Sequence, residues 1–135
     1  MQRSLIAPSL LLLLGTTLAC SDYTAPSEQP SPVGAYSATQ FTTTANGVTT
    51  DQLAEGVTIS LTLAAEGTTS GSLNVPAASS VPLDLSGTWT RRSGVITFHH
   101  ATQTFLDVLP FTLVGNQLHA EGLVGPGVIH VTLVR

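Results

Sequence analysis

From Val57 onward the chain alternates apolar residues with Thr or Ser in short runs, the two-residue period of a strand with one face buried. Val57, Ile59, Leu61 and Leu63 share one face, and Thr58, Ser60 and Thr62 the other. A three-residue loop at Ala65-Glu66-Gly67 pairs Leu61 with Gly71, Ile59 with Leu73 and Val57 with Val75, so the apolar faces of both strands coincide. Leu83 to Phe98 reads as a second hairpin. With Arg92 and Ser93 as its loop, Trp89 lies opposite Ile96, Gly87 opposite Phe98 and Leu85 opposite His100, while Asp84, Ser86, Thr88 and Thr90 share the other face with Val95 and Thr97.

The same pattern continues toward Arg135. A hairpin turning at Gly115-Asn116 pairs Leu113 with Leu118, Phe111 with Ala120 and Thr112 with His119. The next, turning at Gly125-Pro126-Gly127, places Ala120, Gly122 and Val124 beside Leu133, Val131 and Ile129. Both hairpins put Ala120 on the inner face, and a one-residue slip in either would invert that face. The other segments are less regular. Val33 to Thr43 is a strand of ambiguous face, with Tyr36 and Ala38 on one side and Val33, Ala35 and Phe41 on the other. Asn46-Gly47 marks a turn, and Thr50 to Glu55 predicts one helical turn capped by Thr or Asp and ended by Gly56. Pro76 to Pro82 is a loop, and Pro110 interrupts any ladder after Phe105 to Leu109. Eight or nine one-sided strands in consecutive hairpins predict an all-β fold, a small antiparallel meander that closes into a barrel. A two-layer β-sandwich is the alternative, disfavoured because consecutive hairpins need no crossover.

With 135 residues, 42% of them hydrophobic, the chain has material for one core. Four arginines, no lysine and eight carboxylates leave a net charge of −4, which repels phosphate backbones and excludes nucleic acid as a natural partner. The beginning of the chain has a different character. Arg3 precedes Leu5 to Leu14, an apolar run of about ten residues, half of the roughly twenty that span a bilayer, so residues 1–19 are expected to be an export signal. Leu18-Ala19-Cys20 follows, with the single cysteine of the protein. It resembles the lipobox of bacterial lipoproteins, although Thr17 stands where leucine is usual. The resemblance implies lipidation of Cys20 and a membrane held through that anchor; ordinary cleavage after Ala19, giving a secreted or periplasmic soluble protein, is the alternative. Residues 20–32, rich in Pro and Ser, are expected to form a flexible tether reaching up to about 40 Å, and residues 33–135 the β domain. By the same resemblance, Ser21, standing where an aspartate retains well-known lipoproteins in the inner membrane, implies the outer membrane of the bacterial cell envelope if the cell has two membranes.

Gly34-Ala35-Tyr36, the internal Gly87-Thr88-Trp89 and Arg135 resemble the lipocalin-like superfamily. Its barrels open with a Gly-x-Trp strand and carry an arginine near the last strand that packs over it. The resemblance implies a pocket for a small apolar or amphipathic ligand, to which Trp89, Phe98, His100 and Asp107 are the candidate contacts. His100 falls on the inner face, and Asp107 would join it if the preceding loop turns it inward. A solid-cored structural or protein-interaction module is the second reading, since the small inward residues Gly71, Gly87, Ala120 and Gly122 can equally let bulky neighbours fill the interior.

Catalytic and metal chemistry find little support in the residues. There is no Gly-x-Ser-x-Gly, no His-Glu-x-x-His and no cysteine beyond Cys20, so no enzyme is expected. His99 and His100 are strand neighbours and point to opposite faces. His119 and His130 fall on the outer face with Glu121 and Thr132, and with no third ligand fixed, neither a metal nor a cofactor is assigned.

Overall fold

The alternation becomes ten antiparallel strands in a computed structural model that describes residues 28–135. The expected export signal and the lipidation site Cys20 lie outside the described residues. The strands are β1 (Gly34–Ala45), β2 (Val48–Asp51), β3 (Thr58–Leu63), β4 (Thr68–Asn74), β5 (Leu83–Asp84), β6 (Gly87–Arg92), β7 (Val95–His100), β8 (Phe111–Val114), β9 (Gln117–Val124) and β10 (Gly127–Val134). A 3₁₀ helix, Phe105–Val108, lies between β7 and β8. Neighbours run β10-β9-β8-β7-β6-β4-β3-β1, and β10 pairs back onto β1, so the sheet closes into an eight-stranded barrel rather than splitting into a sandwich. The short β2 and β5 are additions that pair with β1 and β4.

Each hairpin keeps the face its pattern demands. The β3–β4 and β8–β9 registers are as expected, with Leu61 opposite Gly71, Ile59 opposite Leu73 and Leu113 opposite Leu118; the β3–β4 ladder begins at Thr58 and Asn74, so Val57 and Val75 lie just beyond it. Two registers differ. The β6–β7 loop is Ser93-Gly94, with φ of 50° and 80°, rather than Arg92-Ser93. Trp89 therefore opposes Phe98 and Gly87 opposes His100, while Leu85 leaves the ladder and donates its amide to Gly71. The reason is conformational: a two-residue turn matching strand twist needs left-handed backbone at both positions, and Gly94 supplies it without strain. Likewise the β9–β10 loop is Gly125-Pro126, with Gly125 at φ 59°, which sets Val131 opposite Ala120. Both slips are of two residues, so every side chain stays on its expected face.

The ambiguous face of β1 has a specific cause. Its register against β10 shifts between Ala38 and Gln40, so Thr39 is an extra, bulged residue. The bulge inverts the alternation, allowing both Tyr36 before it and Phe41 after it to be buried. The helical turn expected near residues 50–55 is a tight turn after β2, with the amides of Leu53 and Ala54 pointing at the Asp51 carboxylate.

Strand directions define two ends. At the base lie the segment leading into β1, the turns 64–67, 93–94 and 115–116, and Arg135; at the far end lie the turns 46–47 and 125–126, loop 75–82 and the 3₁₀ helix. The interior is one continuous apolar cluster in which Tyr36, Phe98, Phe111, Leu61, Ile96, Leu118 and Leu133 are inaccessible or nearly so. Leu106 and Leu109 extend it into the far end, and Phe105 stacks on Phe41 with ring centroids 4.8 Å apart, so the 3₁₀ helix plugs the barrel mouth. Each of these buried side chains contributes about 1.5–3 kcal/mol of transfer free energy.

The last residues of the expected tether are held to the base. Four consecutive carbonyls accept hydrogen bonds from side chains: Pro30 from Arg91 Nη1 (2.7 Å), Ser31 and Val33 from Arg135 Nη1 (3.0 and 2.7 Å), and Pro32 from the Tyr36 hydroxyl (2.8 Å). This segment joins no ladder, so Tyr36 of the adjoining β1 and the distant Arg91 and Arg135 satisfy carbonyls that the sheet does not.

Candidate functional site

His100 closes β7 on the inner face, and the chain then turns through Ala101 to Gln103 into the 3₁₀ helix. Thr104 caps that helix, its hydroxyl accepting the Leu106 amide, while Asp107 reaches back to the Thr104 amide, a reciprocal cap that fixes the carboxylate. The result is the inward His100–Asp107 pair that the sequence left conditional on the loop. Asp107 Oδ1 accepts the His100 amide at 2.6 Å; Oδ2 accepts the Thr104 amide at 2.7 Å and hydroxyl at 3.0 Å, and lies 3.1 Å from His100 Nδ1. Burial pushes the Asp107 carboxyl upward, but the hydrogen bonds outweigh it and hold the group below the ordinary carboxylate value.

In its neutral form the His100 ring carries its proton on Nδ1, which leaves Nε2 as an acceptor without a partner among the described residues. Its side chain is 0% exposed and stacks on Phe98 at 5.7 Å between centroids. An oriented imidazole needs an adjoining nucleophile or a substrate path to act as a base. His100 instead sits behind the plug, and what the pair does is fasten the 3₁₀ helix to the end of β7.

Of the other expected contacts, Phe98 meets His100 and Trp89 lies apart. Phe98 is inaccessible and meets Phe111 edge to face at 5.1 Å, filling the interior. Trp89 lies on the inner face but nearer the base and half-buried, its indole Nε1 donating to the Ala64 carbonyl at 2.9 Å. It ties β6 to the β3–β4 turn, whereas the largest fully buried side chains are Tyr36, Phe98 and Phe111. The Arg135 guanidinium stands 5.9 Å from the Tyr36 ring centroid. Burial pushes the Tyr36 hydroxyl upward and Arg135 opposes that shift.

Comparison with protein-family models, curated proteins and solved structures gives no match. The assignment of function therefore rests on the interior and the surfaces of the barrel.

Two recesses lie in its wall. One, of about 400 Å³, opens where β1 and β3 part: their pairing stops at Ser37 and Ser60, and Ala38, Leu53, Val57 and Ile59 line the gap. Pattern reading missed it because it depends on the β1 bulge and on where Leu53 of the following turn comes to rest. The other, of about 320 Å³, lies on the outer face of β8, β9, β10 and β1, lined by Gln40, Thr112, His119, Glu121, His130 and Thr132. Here the outward assignment of His119 and His130 is observed, with Glu121 beside them.

Proposed function

We propose that this chain is an envelope lipoprotein, anchored through Cys20, whose solid-cored barrel serves as a protein-interaction module. The observation that carries this reading is the interior: one apolar cluster runs from Tyr36 near the base to Leu106 and Leu109 of the plug, occupying the space a barrel ligand would need. The distribution of surface apolar residues supports it. Val48, Val81, Leu83, Val108 and Leu123 are exposed at the far end, Leu123 to 78%, whereas Val114 alone of the large exposed apolar residues described lies at the base. The strap on the carbonyls of Pro30 to Val33 holds the beginning of the described chain at the base, opposite that apolar rim, which supports an anchor on that side. An anchored barrel of this kind presents its far end away from the membrane.

The crevice between β1 and β3 favours a second reading, a small apolar ligand taken into the wall rather than the barrel interior. Native mass spectrometry of the full chain, extracted from membranes in mild detergent, separates the two. The expected result is the polypeptide plus acyl groups that vanish in Cys20→Ser, with no further bound mass. A stoichiometric apolar molecule retained by the folded protein would establish the carrier instead, and an unmodified Cys20 would remove the anchor.

A further inference from the structure

The outer groove is ordered by the sheet. Thr112, His119, Thr132 and Gln40 are successive cross-strand neighbours on β8, β9, β10 and β1, and Glu121 and His130 form the adjoining pair. His119 and His130 are therefore diagonal neighbours, a relationship that separates Cα atoms by about 7–8 Å and lets long or aromatic side chains converge.

Both imidazoles have one nitrogen engaged, and it is the same one. Thr132, only 8% exposed, donates its hydroxyl to Gln40 Oε1 at 3.2 Å, so it turns a lone pair toward His119 Nδ1 at 3.1 Å. In the neutral ring that Nδ1 carries the proton. His130 Nδ1 lies 3.3 Å from Glu121 Oε2, and the carboxylate imposes the same tautomer. Each ring thus keeps the lone pair of Nε2, and both rings line one groove. An imidazole oriented by an N–H contact to oxygen, with its other nitrogen free, is how histidine is prepared for a transition metal.

We propose that His119 and His130 bind one borderline divalent cation, Zn²⁺ or Cu²⁺, through their Nε2 atoms, with Gln40–Thr132 and Glu121 as the orienting partners. Among the described residues no three His, Cys, Asp or Glu converge. The site is accordingly open, two nitrogens with water completing the shell, rather than a closed structural cage. Nitrogen donors select against Mg²⁺ and Ca²⁺, which take oxygen ligands. Such a site on the wall adds a metal-dependent contact to the interaction module, yet it requires neither the anchor nor the apolar rim.

Titration of the full chain carrying Cys20→Ser, so that no thiol competes, with ZnCl₂ or CuSO₄ by isothermal calorimetry tests it. The expected result is one saturable site, weakened roughly tenfold or more in His119→Ala and again in His130→Ala, and less in Glu121→Gln. Bound Cu²⁺ should show electron paramagnetic resonance couplings from two imidazole nitrogens. Circular dichroism of the variants establishes that the fold is retained; the His130 side chain is partly exposed, at 43%, and its variant serves even if His119→Ala unfolds. No saturable binding, affinity unchanged in His130→Ala, or coupling from a single nitrogen would each overturn the proposal.

Discussion

Arg135 closes the barrel by standing over Tyr36, its guanidinium carbon 5.9 Å from the ring centroid, while its Nη1 donates to the carbonyls of Ser31 and Val33. One side chain thereby joins the end of β10, the start of β1 and the segment that precedes it. The side chain also runs across Gly34, whose φ of 150° and missing Cβ leave it room.

Arg135→Ala is expected to destabilise the domain by about 1–2 kcal/mol, from two hydrogen bonds of a charged donor and a cation–π contact, discounted because the side chain is solvent-exposed. Gly34→Ala should lower stability too, since a methyl group there collides with the Arg135 stem. Urea unfolding measures both. Wild-type stability in Arg135→Ala would show that the latch contributes nothing.

Asp107 makes the plug sensitive to acid. Folding holds its carboxyl below the ordinary value of 3.8, so its stabilisation is fully present above that pH and is lost as pH falls through the lower folded value. Asp107→Asn should remove this part of the acid limb. It should also cost about 1–3 kcal/mol at neutral pH, because either orientation of the amide turns an N–H toward a donor that the carboxylate accepts. Thermal melts from pH 6 to 2 report both effects; parallel acid limbs for the two proteins would contradict the assignment.

Much of this was legible in the sequence, for a definite reason. Burial on one side of a strand is written in every second residue, so the faces of Ile59, Leu61, Phe98, Ala120 and Val131 follow from pattern alone. Register is written only in the turns. Arg92-Ser93 and Ser93-Gly94 place the same side chains inward and differ only in partners, so Trp89 was matched with Ile96 instead of Phe98. The His100–Asp107 pair depends on a loop whose reciprocal Thr104–Asp107 cap is a local feature, present at the three-residue spacing but masked by the strand-like apolar run from Phe105 to Leu109. The strap was illegible, because Arg91 and Pro30, or Arg135 and Val33, meet only through closure of the barrel.

Trp89 reports its own placement. With its ring half-buried near the base and Nε1 bonded to Ala64, acrylamide should quench its emission to an intermediate degree, between a free indole and a core residue. Trp89→Phe keeps most of the packing and loses one hydrogen bond, an expected cost of about 1 kcal/mol. Complete shielding from quencher would put Trp89 at the centre of the core and refute the observed position.

The bulge at Thr39 is the place where one residue decides the most. Upstream of it, Tyr36 and Ala38 point inward; downstream, Phe41 does, an odd-numbered spacing that no regular strand permits. Deleting Thr39 restores regular alternation, and the strand must then choose. If it keeps the register of Tyr36 with Arg135, Phe41 turns outward, losing its stack on Phe105 and with it one support of the plug. If it keeps Phe41, Tyr36 leaves the base and the strap loses the hydroxyl that holds Pro32. Either course exposes a buried aromatic ring, so the deletion should cost about 3–5 kcal/mol, comparable to truncating such a ring to alanine. Thr39→Ala, which keeps the extra residue, should be nearly neutral because the side chain is exposed. Chemical denaturation of the pair reads the difference. Equal stability of the deletion and the substitution would mean that β1 accommodates both rings without the bulge.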